Sequence, residues 1–266
     1  MKKSNPIAIF DSGLGGLTVA KEIQKVLPNE SIIYYGDTAR VPYGSKSKDT
    51  IIKFTREAVN FLQSHNAKCI VIACNTASAL ALPIVKNEFD VPMIGVINPG
   101  AKAAAEKTSS GKVGVIATTA TINSDAYTNA IREINNKITV YSQPCPLFVP
   151  LVEEGWGDKP AAKLIIQEYL TPLKIANIDT LVLGCTHYPL LIKQIQDFVS
   201  ENVSLVDSAT TCAKDLKILL EEKNILSDNN NAESTFFVTD MATRFSELGA
   251  KFLGKSLNAI KVVGKE

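Results

Sequence analysis

Short apolar runs rich in β-branched residues recur along the chain, each about the length of one strand and most followed by a stretch with helical apolar spacing. Runs at 7–11, 31–36, 69–73, 92–97, 112–117, 138–141, 180–183, 203–206, 235–238 and 259–263 predict strands. Between them, segments 17–27, 49–64 and 161–175 carry the three-to-four-residue repeat of amphipathic helices. Cys69-Ile70-Val71-Ile72-Ala73 is apolar at every position, the pattern of a strand covered on both faces. Such strands alternating with helices predict an α/β fold with mostly parallel sheets and helices on both sides.

The pattern also repeats at long range. Ile7-Ala8-Ile9-Phe10-Asp11-Ser12 resembles Val113-Gly114-Val115-Ile116-Ala117-Thr118, 106 residues later. Cys69 to Thr76 resembles Thr180 to His187 in the same way, at an offset of 111. Two similar doubly wound α/β domains are therefore expected, with the active site in the cleft between the carboxyl ends of their sheets. The first is expected to comprise residues 1–97 plus 208–266, and the second residues 98–207. Asp228-Asn229-Asn230-Asn231 is expected to be a solvated loop.

Composition narrows the class. The 266 residues are 45% apolar and 21% charged, with a net charge of +1. This balance supports neither a nucleic-acid-binding face nor a membrane-hugging one. No run approaches the ~18 apolar residues of a membrane span. Pro6, Asp11 and the glycines that follow break up any signal-peptide core after Met1-Lys2-Lys3, so a cytoplasmic protein is expected. The five cysteines are scattered and form no C-x-x-C, which argues against a disulfide framework and a zinc site; no metal is expected. Cys69, Cys145 and Cys212 read as small buried hydrophobes.

Cys74 and Cys185 read differently. Each directly follows an apolar strand and precedes a predicted helix, where free backbone N–H groups and the helix dipole favour a thiolate. Two cysteines placed alike in two similar halves suggest paired proton transfer to opposite faces of one carbon. The turn Asp11-Ser12-Gly13-Leu14-Gly15-Gly16 has Thr18 where a dinucleotide fingerprint needs glycine, and it lacks a P-loop lysine. Close approach of backbone to a small ligand, with Asp11 at the strand tip, explains it better. The long connection from Asp37 to Lys46 is expected to cover a cleft, with Arg40 and Lys46 as ordinary surface charges. His65 is expected at the surface, whereas His187 is expected in the cleft. Glu153 and Glu154 fall in an expected loop from Pro150 to Gly157, where solvated charge is the default.

The combination Asp11-Ser12-Gly13-Leu14-Gly15-Gly16, Pro42-Tyr43-Gly44, Ala73-Cys74-Asn75-Thr76-Ala77-Ser78 and Gly184-Cys185-Thr186-His187-Tyr188-Pro189 resembles the bacterial glutamate racemases of the aspartate/glutamate racemase family. The resemblance runs in order from about residue 7 to residue 210. Aspartate racemases share the two-cysteine plan, but their second cysteine is typically followed by Thr-Glu rather than Thr-His. The resemblance implies racemisation of glutamate without a cofactor, Cys74 and Cys185 exchanging the α-proton. Asp11 would tune Cys74, and His187 with Glu153 would tune Cys185. The implied substrate-binding positions are Asp11, Ser12, Tyr43, Gly44, Asn75, Thr76, Thr186 and His187, with Thr118 and Thr121 from the second half. It further implies D-glutamate supply to peptidoglycan, and a homodimer is among the assemblies that it suggests. The competing readings are an aspartate racemase, a cysteine hydrolase using Cys185 and His187, and a non-catalytic binder of small acids.

Overall fold

The computed structural model describes residues 2–264 except 230 and 258, so Asn230 of the polar run lies outside the described residues. Among the described residues ten strands form: β1 (Ile7–Asp11), β2 (Ile32–Gly36), β3 (Cys69–Ile72), β4 (Met93–Gly95), β5 (Lys112–Ala117), β6 (Thr139–Pro144), β7 (Thr180–Gly184), β8 (Ser204–Asp207), β9 (Ser234–Val238) and β10 (Ile260–Val262). They make two sheets, of order β10-β9-β2-β1-β3-β4 and β6-β5-β7-β8, and every pairing is parallel. The chain thus forms two α/β domains, each with a parallel sheet between helices.

The order β2-β1-β3-β4 recurs as β6-β5-β7-β8, and the registers agree with the sequence repeat. Ile7 pairs with Cys69 in the large sheet, and Val113 pairs with Thr180 in the small one. Both faces of β1, β3 and β7 are buried, which is why these strands read as continuous apolar runs. After β4 the chain crosses to the small sheet through the helix Ile97–Lys107, and after β8 it returns through Ser208–Glu222, which packs on the helix Leu17–Val26. Parallel connectivity brings every strand's carboxyl end, and the loop behind it, to one rim of its sheet.

Three expectations need correction. The segment after Cys185 is a 3-10 turn, Tyr188–Leu191, and the α-helix begins only at Ile192. Pro189, which lacks an N–H and fixes its φ, sits within that turn. Of the expected loop from Pro150 to Gly157, the first half instead lies in the helix Phe148–Glu153, whose Phe148 and Leu151 are buried in the second domain's core, while Glu154 to Gly157 lie outside any helix. His65 is half-buried, its ring centroid 4.3 Å from that of Phe61 and 4.9 Å from that of Phe237. Apolar packing outweighed the polarity that marked it as a surface residue.

At the rim opposite the cleft, Lys68 and Glu30 form a buried ion pair with Nζ and Oε2 2.5 Å apart. Lys68 also donates to the carbonyls of Lys3 and Ile225, and Ser227 N donates to Glu30 Oε1. One pair therefore ties the N-terminal segment and the chain entering β9 to the base of the large sheet. Lys68→Met strands a carboxylate in the interior and is expected to lower stability by about 3–5 kcal/mol in urea unfolding. A loss below about 1 kcal/mol would show that the pair is not needed to hold this rim.

Candidate active site

The carboxyl-end loops of the two sheets enclose one cavity of about 600 Å³, a size suited to a small ligand with room for water. Its wall includes Ser12, Tyr43, Gly44, Cys74, Asn75, Thr76, Thr118, Cys185, Thr186, His187 and Glu153. Asp11 and Thr121 are not on the wall; both are buried behind it. Every residue singled out from the sequence is thus at the cavity or directly beneath it.

The glycine-rich turn has a second role besides admitting a ligand. A β-carbon on Gly15 would lie 2.1 Å from Thr186 Oγ1 and 2.5 Å from His187 Nδ1, so only glycine lets the loop after β7 seat there. Thr18, which spoiled the dinucleotide pattern, donates to Gly15 O and lies 3.0 Å from Thr186 O. Thr76, Thr118 and Thr121 complete the seam with mutual hydroxyl contacts of 2.9–3.2 Å. The Tyr43 hydroxyl donates to Asp37 at 2.5 Å, so that residue offers the cavity its ring and backbone. Arg40 is no ordinary surface charge: it pairs with Asp37 and Glu57 and lies 4.0 Å over the Phe54 ring, bracing the same loop.

The two sulfurs occupy opposite electrostatic settings. Cys74 caps the helix Asn75–Leu80, a position that favours a thiolate. Burial and the nearby Asp11 carboxylate nevertheless push its thiol up to about 12, against the Ser12 hydroxyl and the Ala77 N–H. That corrects the expected lowering, because desolvation exceeds the helix-end effect. Burial also raises the Asp11 carboxyl, with the charge of His187 and the N–H of Gly13 opposing it. On the other wall, Cys185 Sγ lies 3.9 Å from His187 Nδ1, and His187 Nε2 lies 3.0 Å from Glu153 Oε1. Burial disfavours charge on His187, but its contacts with Cys185 and Glu153 win and raise it to about 10. Burial works against Glu153 as well, yet His187 and then Arg244 hold its carboxyl below the usual range. Cys69, Cys145 and Cys212 are buried, and desolvation raises all three thiols, in keeping with packing residues.

Several wall residues gave no sequence signal. Pro146, Val149 and Pro150 form an apolar collar with Val41 and Pro42. Arg244, on the helix Ala242–Leu253, reaches the mouth and pairs with Glu154 at 2.9 Å. Local pattern cannot reveal these, since their position depends on contacts nearly a hundred residues away in sequence.

Fold and site define a two-domain α/β protein in which each domain presents one cysteine to a shared, partly open cavity. The sequence profile of the family described as Asp/Glu/Hydantoin racemase matches residues 17–216. The chain belongs to that family, and it is an isomerase of the amino-acid racemase type. The glutamate racemase of Chlorobaculum tepidum is 48% identical over 266 residues, covering 99% of this chain and 98% of that protein. Glutamate racemase isoform RacE1 from Bacillus anthracis superposes with a TM-score of 0.96 at 41% identity, covering 99% and 98% of the two chains. A Francisella tularensis glutamate racemase solved in complex with D-glutamate gives 0.93 at 42%, covering 98% of each.

With only two histidines in the chain, the His187 ring can be followed directly by NMR. Its titration is expected near 10 in the intact protein. In Glu153→Gln it should move down toward the ordinary histidine range, because a charge that favours imidazolium is lost. An unshifted titration in that variant would show that Glu153 does not hold the proton.

Proposed function

We propose that this protein interconverts L- and D-glutamate by two-base proton transfer between Cys74 and Cys185. The observation that carries this is one cavity walled by a cysteine from each domain, one beside a buried imidazole and the other beside a buried carboxyl group. The names of the full-length relatives support glutamate as substrate, as does His187 after Thr186 in place of the glutamate typical of aspartate enzymes.

In this mechanism the α-carbon lies between the sulfurs. A thiolate on one side takes the α-proton while the thiol on the other side delivers its own, so each turnover exchanges their protonation states. His187 lies beside Cys185, and Asp11 puts a carboxyl beside Cys74, so the two sulfurs face different charged groups across the substrate. Ser12, Asn75, Thr76 and Thr186 provide donors for the substrate carboxylates, and Gly44 and Thr118 close the wall between the domains. Because an α-proton is far less acidic than a thiol, these preorganised donors and the exclusion of water must stabilise the developing carbanion, without a cofactor. The domains would divide as 1–97 with 208–266, and 98–207. The D-glutamate formed would feed peptidoglycan synthesis in the cytoplasm.

Incubation with L-glutamate in deuterated water, without added cofactor, should give α-deuteration and loss of optical rotation. Cys74→Ala and Cys185→Ala should each cut inversion by roughly a thousandfold, the order expected for losing an acid or base at the reacting carbon. Full racemisation by either variant would contradict the two-base assignment. Faster turnover of aspartate would transfer the assignment to that substrate, and acyl transfer without exchange would favour the hydrolase.

A further inference from the structure

Tyr127 is a buried polar residue that the mechanism leaves unused. It lies on the helix Ala126–Ile134 of the second domain, 3% exposed, and its hydroxyl donates 2.7 Å across the seam to Asn75 Oδ1. Asn75 immediately follows Cys74, lines the cavity and is itself 3% exposed. Among the described residues its Nδ2 is buried and has no hydrogen-bond partner.

These facts bear on one choice. A primary amide can turn either its oxygen or its NH₂ toward a ligand, and only the NH₂ can donate to an anionic oxygen. With the phenol donating to Oδ1, the amide holds its oxygen toward Tyr127 and its NH₂ away from it. Burial holds the phenol well above its usual range, so it remains a donor. The ring itself has little freedom. Its Cε2 would lie 3.0 Å from a β-carbon on Gly184, the residue before Cys185, and its Cε1 3.2 Å from one on Gly100.

We propose that Tyr127 is a positioning residue that holds the Asn75 amide so that its buried, unpartnered Nδ2, and not its oxygen, is the end a substrate carboxylate meets at the cavity wall. This rests on the assignment of glutamate as substrate. It adds a hydrogen bond, anchored against the loop bearing one sulfur, that sets the polarity of the wall beside the other. Without that bond, the amide can present its oxygen, which repels a carboxylate.

The test is a double-mutant cycle on the full chain, with KM and kcat measured for L- and D-glutamate. Tyr127→Phe keeps the ring and removes only the hydroxyl. It should raise KM roughly tenfold for both enantiomers, the order of one lost hydrogen bond to a charged partner, with kcat within about threefold. Asn75→Ala should raise KM at least as much, and Tyr127→Phe should add nothing in that background. Multiplying effects would mean that Tyr127 acts by packing and not through Asn75, which overturns the proposal. An active wild type with an unchanged Tyr127→Phe variant overturns the proposal alone. A wild type inert toward glutamate overturns the functional assignment and this proposal with it.

Discussion

The site depends on how closely the carboxyl ends of two parallel sheets approach one another. At Gly15 the loop after β7 lies where any side chain would stand, and at Gly44 a β-carbon would come within 2.9 Å of Thr118. The hydroxyl seam of Thr76, Thr118 and Thr121 and the contact of Thr18 with Thr186 O then fill the joint with short polar contacts. Two near-copies of one strand order, brought rim to rim, place their corresponding cysteines on opposite walls of one cavity. Pairing of the sulfurs is thus a property of the duplication and of the glycines that let the halves close.

Closure also sets the electrostatics. Excluding water makes each charge inside cost more unless it is partnered, and the two walls answer this differently. Beside Cys185, His187 is hydrogen-bonded on both nitrogens, keeps its proton far above the ordinary range, and packs against the Phe252 ring at 5.2 Å. Beside Cys74 lies a carboxyl with no pocket exposure, and the thiol is correspondingly hard to ionise. The two walls thus hold their sulfurs in different charge surroundings.

Much of this was legible in the sequence because it is carried by local pattern. All ten strands among the described residues read from apolar runs, and the 7-to-113 and 69-to-180 matches predicted two similar halves, whose registers correspond in the sheets. The edges were less legible: the run at 92–97 shortens to Met93–Gly95 because Ile97 already begins a helix. What failed depends on tertiary contact. Burial of His65 between two phenylalanines, the brace around Arg40, the collar from Pro146 to Pro150 and the reach of Arg244 all come from segments remote in sequence. The raised thiol of Cys74 escaped for the same reason, as a helix cap is visible in sequence and desolvation is not.

The two-base claim is tested most directly by where deuterium goes in the first few percent of reaction. L-Glutamate carrying an ordinary α-hydrogen is placed in deuterated water, and product and remaining substrate are separated and analysed by mass. Opposed sulfurs predict deuterium in nearly all D-glutamate formed and almost none in the unreacted L-glutamate, because the group that reprotonates is not the one that took the proton. Deuterium entering recovered substrate as fast as product would contradict this and point to a single base serving both faces.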